Sequence, residues 1–340
     1  MSAELLSGSS WNAGENISSR KRRRGRVVQR RRMAAHGVLR DDGGRVLLVR
    51  GAAECPYPGV WQLPGGRLWH AEHPAAAAVR GFGEATGLAV TATDIRAAVA
   101  DLVTLDAGVA VHTDRMVFDV VHTDRMVFDV TAGTGGAFRP ESGGDSDELG
   151  WFTPGSATAV PVMPFTAELL GLSGAPLPLE VPGVLPAAWT VPVPADRRHR
   201  FGAYGLVTDP AGRVLLTLIA DGYPGAGSWH LPGGGTDHGE APEAGLLREL
   251  VEESAQVGRV VELIGVDSLH VPRAMGPEGR PLDWYTVRVI YTVAVDEPTE
   301  AVVTELAGGS TARASWFTVA DLAGLRLSDV AGRMITEWIG

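Results

Sequence analysis

The sequence predicts an α/β protein of two tandem units, each a mixed sheet covered by helices, and three observations carry the prediction. First, 340 residues with 45% apolar content exceed one ordinary domain and suffice for two cores. Second, the chain is duplicated. At one shift of 168 residues Gly37 falls on Gly205, Asp41 on Asp209, Gly44–Leu48 on Gly212–Leu216, Trp61 on Trp229, Leu63–Gly66 on Leu231–Gly234, Glu72 on Glu240 and Arg80 on Arg248. Third, each copy runs from strand to loop to helix to further strands, an order that argues for helices on a sheet.

Taken in order, residues 1–33 are rich in Ser, Gly and Arg without apolar periodicity, and are expected to be a disordered basic tail. The first unit is expected over 34–171. It opens with the turn signal DDGG at 41–44 and a β-branched strand, Arg45–Val49, then a loop ending in W-x-L-P-G-G and a helix. The decapeptide Val111–Val120 recurs verbatim as Val121–Val130; one strand of twenty residues would span about 65 Å, so the second copy must fold back, bulge or extend an edge. Residues 172–199 repeat proline and read as an extended linker. The second unit, 200–340, repeats the order, with DPAG at 209–212, a strand at Arg213–Leu218 and an alternating strand at Trp284–Val293. Trp151–Thr153 matches Trp316–Thr318 at a shift of 165, so the copies differ mainly in loop length before the last strand.

Charge and composition bound the function. Nine of the thirty basic residues lie in Arg20–Arg32; beyond the tail the chain carries 21 basic and 38 acidic groups, a net of −17. Such a body does not draw nucleic acid, which is expected only at the tail, and an acidic substrate must be held by bound metal and a few placed cations. No run of eighteen apolar residues would span a membrane. A lone cysteine, Cys55, makes no internal disulfide, and the expected address is the cytoplasm.

The chemistry lies in the second unit. Its spacing is Gly234, five residues, Glu240, seven residues, then Arg248-Glu249-Leu250-x-Glu252-Glu253. On a helix Glu249, Glu252 and Glu253 span an arc of about 100°, with Leu247, Leu250 and Val251 on the other side. Like charges at i, i+3 and i+4 repel by a few tenths of a kcal/mol per pair, and a divalent cation reverses that sign. Hard oxygens suit Mg²⁺ or Mn²⁺. Pro232-Gly233-Gly234 ahead of the helix supplies a loop without obstructing Cβ atoms.

This spacing resembles the box of the Nudix hydrolase superfamily, G-x5-E-x7-R-E-U-x-E-E-x-G-U, at every charged position; Ala255 and Gln256 depart from the final Gly and apolar residue. The resemblance implies tandem α/β/α sandwiches with mixed sheets. It implies that the Gly233 carbonyl, Glu252 and Glu253, with Glu249, bind Mg²⁺, that Arg248 orients Glu249 by a bidentate pair, and that Gly234 and Glu240 are structural. A further glutamate from a distant loop often serves as base, for which Glu305, then Glu300, are the candidates. The implied reaction is hydrolysis of a diphosphate bond in a nucleoside diphosphate linked to another moiety.

In the first unit Glu249 and Glu253 become Gly81 and Ala85, while Gly66, Glu72, Arg80 and Glu84 remain. That box is expected to keep the fold without the metal. Arg50 could lend the substrate a cation across a shared cleft, and Tyr223 and Trp284 could stack a base. The competing reading is a nucleotide sensor without catalysis. A diphosphate isomerase would want a cysteine in the active cleft, and Cys55 lies in the wrong unit. The pair of units suits either an intrachain pseudo-dimer or a homodimer.

Overall fold

A glycine in the left-handed region closes both turn signals, Gly44 at φ +75° and Gly212 at φ +72°. In each turn an aspartate accepts the backbone N–H four residues on, Asp41 from Arg45 at 2.8 Å and Asp209 from Arg213 at 2.8 Å. The computed structural model describes residues 28–55, 57–105, 109–122, 145–172, 194, 196–275, 279–304 and 309–339. The first half contains β1 (Val28–Val38), β2 (Val46–Gly51), β3 (Trp61–Gln62), β4 (Gly65–Arg67), α1 (Pro74–Thr86), β5 (Val90–Leu105), β6 (Val109–His122), β7 (Ser146–Phe152), α2 (Pro154–Ala157) and α3 (Pro164–Leu169). The second repeats it with β8 (Arg197–Thr208), β9 (Val214–Ile219), β10 (Trp229–His230), β11 (Gly233–Gly235), α4 (Pro242–Ser254), β12 (Arg259–Met275), β13 (Pro281–Ala294), β14 (Thr311–Phe317), α5 (Val319–Leu322) and α6 (Asp329–Ile339).

Both halves are mixed sheets with helices, as the sequence predicts. In the second half β8 lies parallel to β13 and antiparallel to β9, joining seven strands in one sheet. In the first half β1 is parallel to β6 but meets β2 only at an isolated bridge between Arg40 and Val46, so equivalent strands divide into sets of four and three.

Two boundaries and one buried position differ from the sequence reading. Val28–Met33, assigned there to the tail, begins β1, because these residues pair in parallel register with Val109–Asp114 of β6, which gives their backbone groups partners. Residues 197–199, assigned to the linker, belong to β8, paired with Asp283–Tyr285. Val251, expected on the buried side of its helix, is 43% exposed, while Leu246 and Leu250 fill the core. Of the repeated decapeptide, the first copy and the first two residues of the second form β6; positions 123–130 lie outside the described residues, as do 1–27 of the tail and 173–193 of the linker.

The halves share a core. One apolar cluster joins Met33, Phe82, Met116 and Phe118 to Phe201, Leu246, Tyr285 and Val289. Each such side chain contributes about 1.5–3 kcal/mol on burial, so separating the halves would expose a large part of both cores. A polar seam lies beside it. Arg31 makes a two-pronged pair with Asp114 at 2.8 and 3.0 Å and donates to the carbonyl and hydroxyl of Thr236. His112 accepts the Gly239 N–H at 2.6 Å through Nδ1, which leaves Nε2 as donor to Asp114 at 2.8 Å. Residues of the first half thus grip the 236–239 loop of the second. Among the described residues no helix is long and apolar enough to cross a membrane.

Candidate active site

Helix α4 begins at Pro242, where a fixed φ and a missing N–H cost nothing, and Glu243 in its first turn suits the positive end of the helix. Its start is tied to the preceding strand by one side chain. Arg248 donates to Glu240 through Nε at 3.0 Å and Nη2 at 3.1 Å, to the Gly235 carbonyl at 3.1 Å, and through Nη1 to Glu249 at 3.0 Å and Glu252 at 3.1 Å. The bidentate partner of Arg248 is therefore Glu240, with a single bond to Glu249. Because Glu249 and Glu252 share one nitrogen, those two oxygens lie within about 6 Å of each other. Glu240 also accepts the Asp237 N–H at 2.7 Å, fixing the loop ahead of the helix.

The three helix carboxylates share a side but not an environment. Glu252 is 40% exposed and Glu249 16%, whereas Glu253 is 3% exposed, accepting the Gly233 N–H at 2.9 Å and the Thr311 hydroxyl. Burial pushes the Glu249 carboxyl above its ordinary value against the pull of Arg248, and the neighbouring Glu252 adds to the push. Arg248 holds Glu240 below its ordinary value and is itself raised by that bond. A cluster of hard oxygen donors, one of them resisting ionisation, fits a divalent cation of the Mg²⁺ or Mn²⁺ kind.

Glycine is needed where the loop meets the strands. Gly233 has φ +132°, and a Cβ there would lie 2.3 Å from the Ala203 carbonyl oxygen; one on Gly234 would lie 2.6 Å from the Glu249 carboxylate. The loop backbone thus rests directly against the acidic cluster.

In the first half the same frame stands without the cluster. Arg80 pairs with Glu72 at 2.7 and 2.8 Å, reaches Glu84 at 3.0 Å and donates to the Arg67 carbonyl at 2.9 Å. Each contact is the counterpart, 168 residues earlier, of one made by Arg248. At Gly81, however, a Cβ would lie 2.7 Å from Gly66 N and 2.8 Å from Gly65 C. The glycine loop thus leaves no room for a side chain at Gly81, the position that Glu249 holds in the second half.

A family model for the NUDIX domain matches twice, over residues 30–170 and 198–338. The chain belongs to the Nudix family, as a tandem pair. It resembles an RNA pyrophosphohydrolase of Saccharophagus degradans, 33% identical over 95 residues, 25% of this chain and 54% of that protein. It also resembles an 8-oxo-dGTP diphosphatase of Haemophilus influenzae, 41% identical over 61 residues, 18% of this chain and 45% of that one. The chain spans about half the length of the curated relatives it matches. Among solved structures, the MutT protein of Methanosarcina mazei aligns at 17% identity and a TM-score of 0.33, covering 42% of this chain and 93% of the other.

The remaining sequence candidates lie apart from the Nudix box or outside view. Arg50 is engaged within its own half, paired with Asp147 at 2.9 Å and Glu148 at 2.6 Å, so its charge is spent locally. Tyr223 is exposed in the turn after β9. Trp284 stands opposite Arg198 on β8, six residues before the Tyr204 that pairs with Gly233, a separation of about 20 Å along the strand. Glu305 lies outside the described residues, and Glu300 is exposed with its carbonyl accepting from Gln256 at 3.3 Å. Cys55 is buried, and its thiol is pushed up by burial.

Two residues at the Nudix box have contacts that the sequence reading did not assign. Arg200 of β8 lies beside Gly235, where an added Cβ would be 3.1 Å from its Nε, and its charge acts on Glu249. Gln256, which departs from the box's apolar position, is buried with every polar atom used: it binds Ser254, Thr299 and Glu300 and accepts the Thr299 N–H at 3.0 Å. It anchors the 299–304 segment along α4, where Thr304 N–H meets the Glu252 carbonyl at 2.8 Å. The register of β8 places Arg200 at the box, and the one sequence signal for it is that Arg32 stands at the equivalent position 168 residues earlier, masked there by the basic run.

Proposed function

We propose that the chain is a Mg²⁺- or Mn²⁺-dependent pyrophosphohydrolase acting on a nucleoside diphosphate linked to another moiety, with the chemistry in the second half. The first half, about 34–171, serves as a non-catalytic domain joined by the 172–199 linker and preceded by the basic tail. One observation carries the reading: two boxes with the same arginine frame differ in that Glu249 and Glu253 stand where the first half has Gly81 and Ala85, with Gly65 and Gly66 packed against Gly81. The names of the two relatives both describe cleavage of a phosphoanhydride, which supports the reaction class and leaves the leaving group open.

Glu249, Glu252, Glu253 and the Gly233 carbonyl would hold the cation, which when bound supplies charge neutralisation on the diphosphate and a more acidic water. Arg248 keeps Glu249 and Glu252 converged, and Glu240 keeps Arg248 in place. Gly233 and Gly234 let the phosphates approach the backbone, and Arg200 beside Gly235 offers a cation for a phosphate oxygen. Glu305 is the proposed base. The cytoplasm is the proposed address, and small nucleotides the partners.

The test is Glu253→Gln assayed against 8-oxo-dGTP, ADP-ribose, dinucleoside polyphosphates and RNA ending in a di- or triphosphate. Turnover on the substrate the wild type accepts should fall at least about 100-fold, the scale of losing one charge-stabilising group. A sensor would show no turnover in the wild type and undiminished nucleotide affinity in the variant.

A further inference from the structure

A second cluster of ligating side chains lies between the halves, remote from the box. His70 comes from the turn between β4 and α1, His199 from β8, His270 from β12 and Asp283 from β13. Strand register brings the last three together, since His199 and His270 both lie opposite Tyr285, two residues beyond Asp283. The fold then lays His70 of the other half against them. One ligand atom from each of His70, His270 and Asp283 falls within a mutual 4.8 Å.

The contacts have an unusual direction. Asp283 holds both imidazoles, with Oδ1 at 2.7 Å from His270 Nε2 and Oδ2 at 2.9 Å from His70 Nε2. His70 Nδ1 lies 2.7 Å from His199 Nε2, and the two rings stack at 4.9 Å. One proton must sit between those two nitrogens. When His70 supplies it, as a neutral imidazole, its Nε2 presents a lone pair to the Asp283 carboxylate. His70 Nε2 is buried and lies 2.9 Å from Asp283 Oδ2. Two facing lone pairs repel unless a cation lies between them. The arrangement, a histidine with one nitrogen turned to a carboxylate site and the other hydrogen-bonded behind, is the one metal-binding histidines adopt.

We propose that His70, His270 and Asp283, with His199 supporting His70, form a Zn²⁺-class metal site that clamps the two halves together. Two imidazoles and one carboxylate suit a first-row ion such as Zn²⁺ far better than Mg²⁺, which prefers oxygen throughout. Tetrahedral bonds of about 2.0–2.1 Å set neighbouring ligand atoms roughly 3.3 Å apart. The present 2.7 and 2.9 Å spacings reach that with outward movements of about half an ångström, which the exposed His270 can make. Arg197 Nε, 3.5 Å from Asp283 Oδ2, is the one described cation near enough to compete, and it makes no hydrogen bond there. The site draws one ligand from the first half and two from the second, so its occupation ties the halves whatever reaction the box performs.

The test uses the full chain stripped with chelator and titrated with Co²⁺ followed by visible absorption, and with Zn²⁺ in competition with a chromophoric chelator. Wild type and Glu252→Gln should each take up one tetrahedral Co²⁺, recognised by intense d–d bands, and Zn²⁺ should raise the unfolding midpoint of both. His270→Ala, at an exposed position, and Asp283→Asn should weaken uptake about 100-fold or more and abolish the shift; His199→Ala should weaken it about 10–100-fold. The proposal is overturned if His270→Ala binds Co²⁺ as tightly as wild type, if the bands are those of an octahedral ion, or if they vanish in Glu252→Gln instead.

Discussion

Ala255→Gly in the second half and Gly87→Ala in the first are one experiment run in opposite directions. The two positions are equivalent at the 168-residue shift, and both end a box helix in the left-handed region, Ala255 at φ +56° and Gly87 at φ +74°. Each closes its helix alike, with an N–H to the carbonyl four residues back at 2.8 Å, Val251 in one half and Gly83 in the other. An L side chain in this conformation costs about 1–2 kcal/mol, and glycine gives back about 0.4–1 kcal/mol through the freer unfolded chain. Removing the half-buried Ala255 methyl takes off a few tenths more. Ala255→Gly should therefore stabilise by about 0.5 kcal/mol and Gly87→Ala destabilise by about 0.5–1 kcal/mol, read as shifts of the urea midpoint at unchanged slope. Loss of stability in Ala255→Gly, or a gain in Gly87→Ala, would refute the claim that helix termination, and not the methyl, governs this position.

Gly81→Glu, which restores a box carboxylate to the first half, should add no hydrolysis when tested in a Glu253→Gln background. It should also destabilise by about 2 kcal/mol or more, because backbone stands 2.7 Å from the new Cβ; measurable turnover would contradict the closed loop. Asp114→Asn should cost about 2–3 kcal/mol by breaking charged hydrogen bonds to Arg31 and His112, and should lower kcat through the 236–239 loop; full activity would mean that the seam does not position the box. Acid should weaken the fold through two buried histidines before the exposed carboxylates titrate. Burial, aided by Arg115 and Arg288 respectively, holds His36 at about 3 and His230 at about 4, so the unfolded chain binds more protons below its pKa of about 6.5 and stability falls as pH drops. Each contributes a loss of up to about 2 kcal/mol between pH 7.5 and 5, and His230→Gln should flatten that slope in urea titrations; an unchanged slope would show that His230 protonates freely when folded.

The fold was largely legible because duplication states the same message twice. The turn signals, the W-x-L-P-G-G loops and the box helices repeat at a fixed shift, and each lands on its expected element. The Arg248 frame was legible for the same reason, since Gly, Glu and Arg recur in both copies. What stayed hidden depends on contacts between segments far apart in the chain. Arg31 reads as one of nine charges in a basic run, yet it crosses to Thr236 and Asp114. The burial of Glu253 depends on Thr311, 58 residues away. Helical periodicity fixes direction around an axis and says nothing of what lies opposite; hence Val251 was placed inside and Glu253 outside.

The two boxes also supply a charge comparison that periodicity alone could not. In the first half Arg80 faces Glu72 and Glu84, leaving one negative charge in excess, and its guanidinium lies 3.9 Å over the Trp69 ring. In the second half Arg248 faces Glu240, Glu249 and Glu252, with Glu253 buried behind, leaving three. Counting only the paired side chains, the second box exceeds the first by two negative charges, and the first also carries Arg67 where the second has Gly235. Arg200 offsets part of it, yet Glu249 is still pushed up by burial and by its neighbour Glu252. A box whose charges already balance needs no ion and can let its loop close, as Gly65 and Gly66 do upon Gly81. The second box, with its excess of carboxylates, is the one suited to a cation, whereas the first lacks two of them at Gly81 and Ala85.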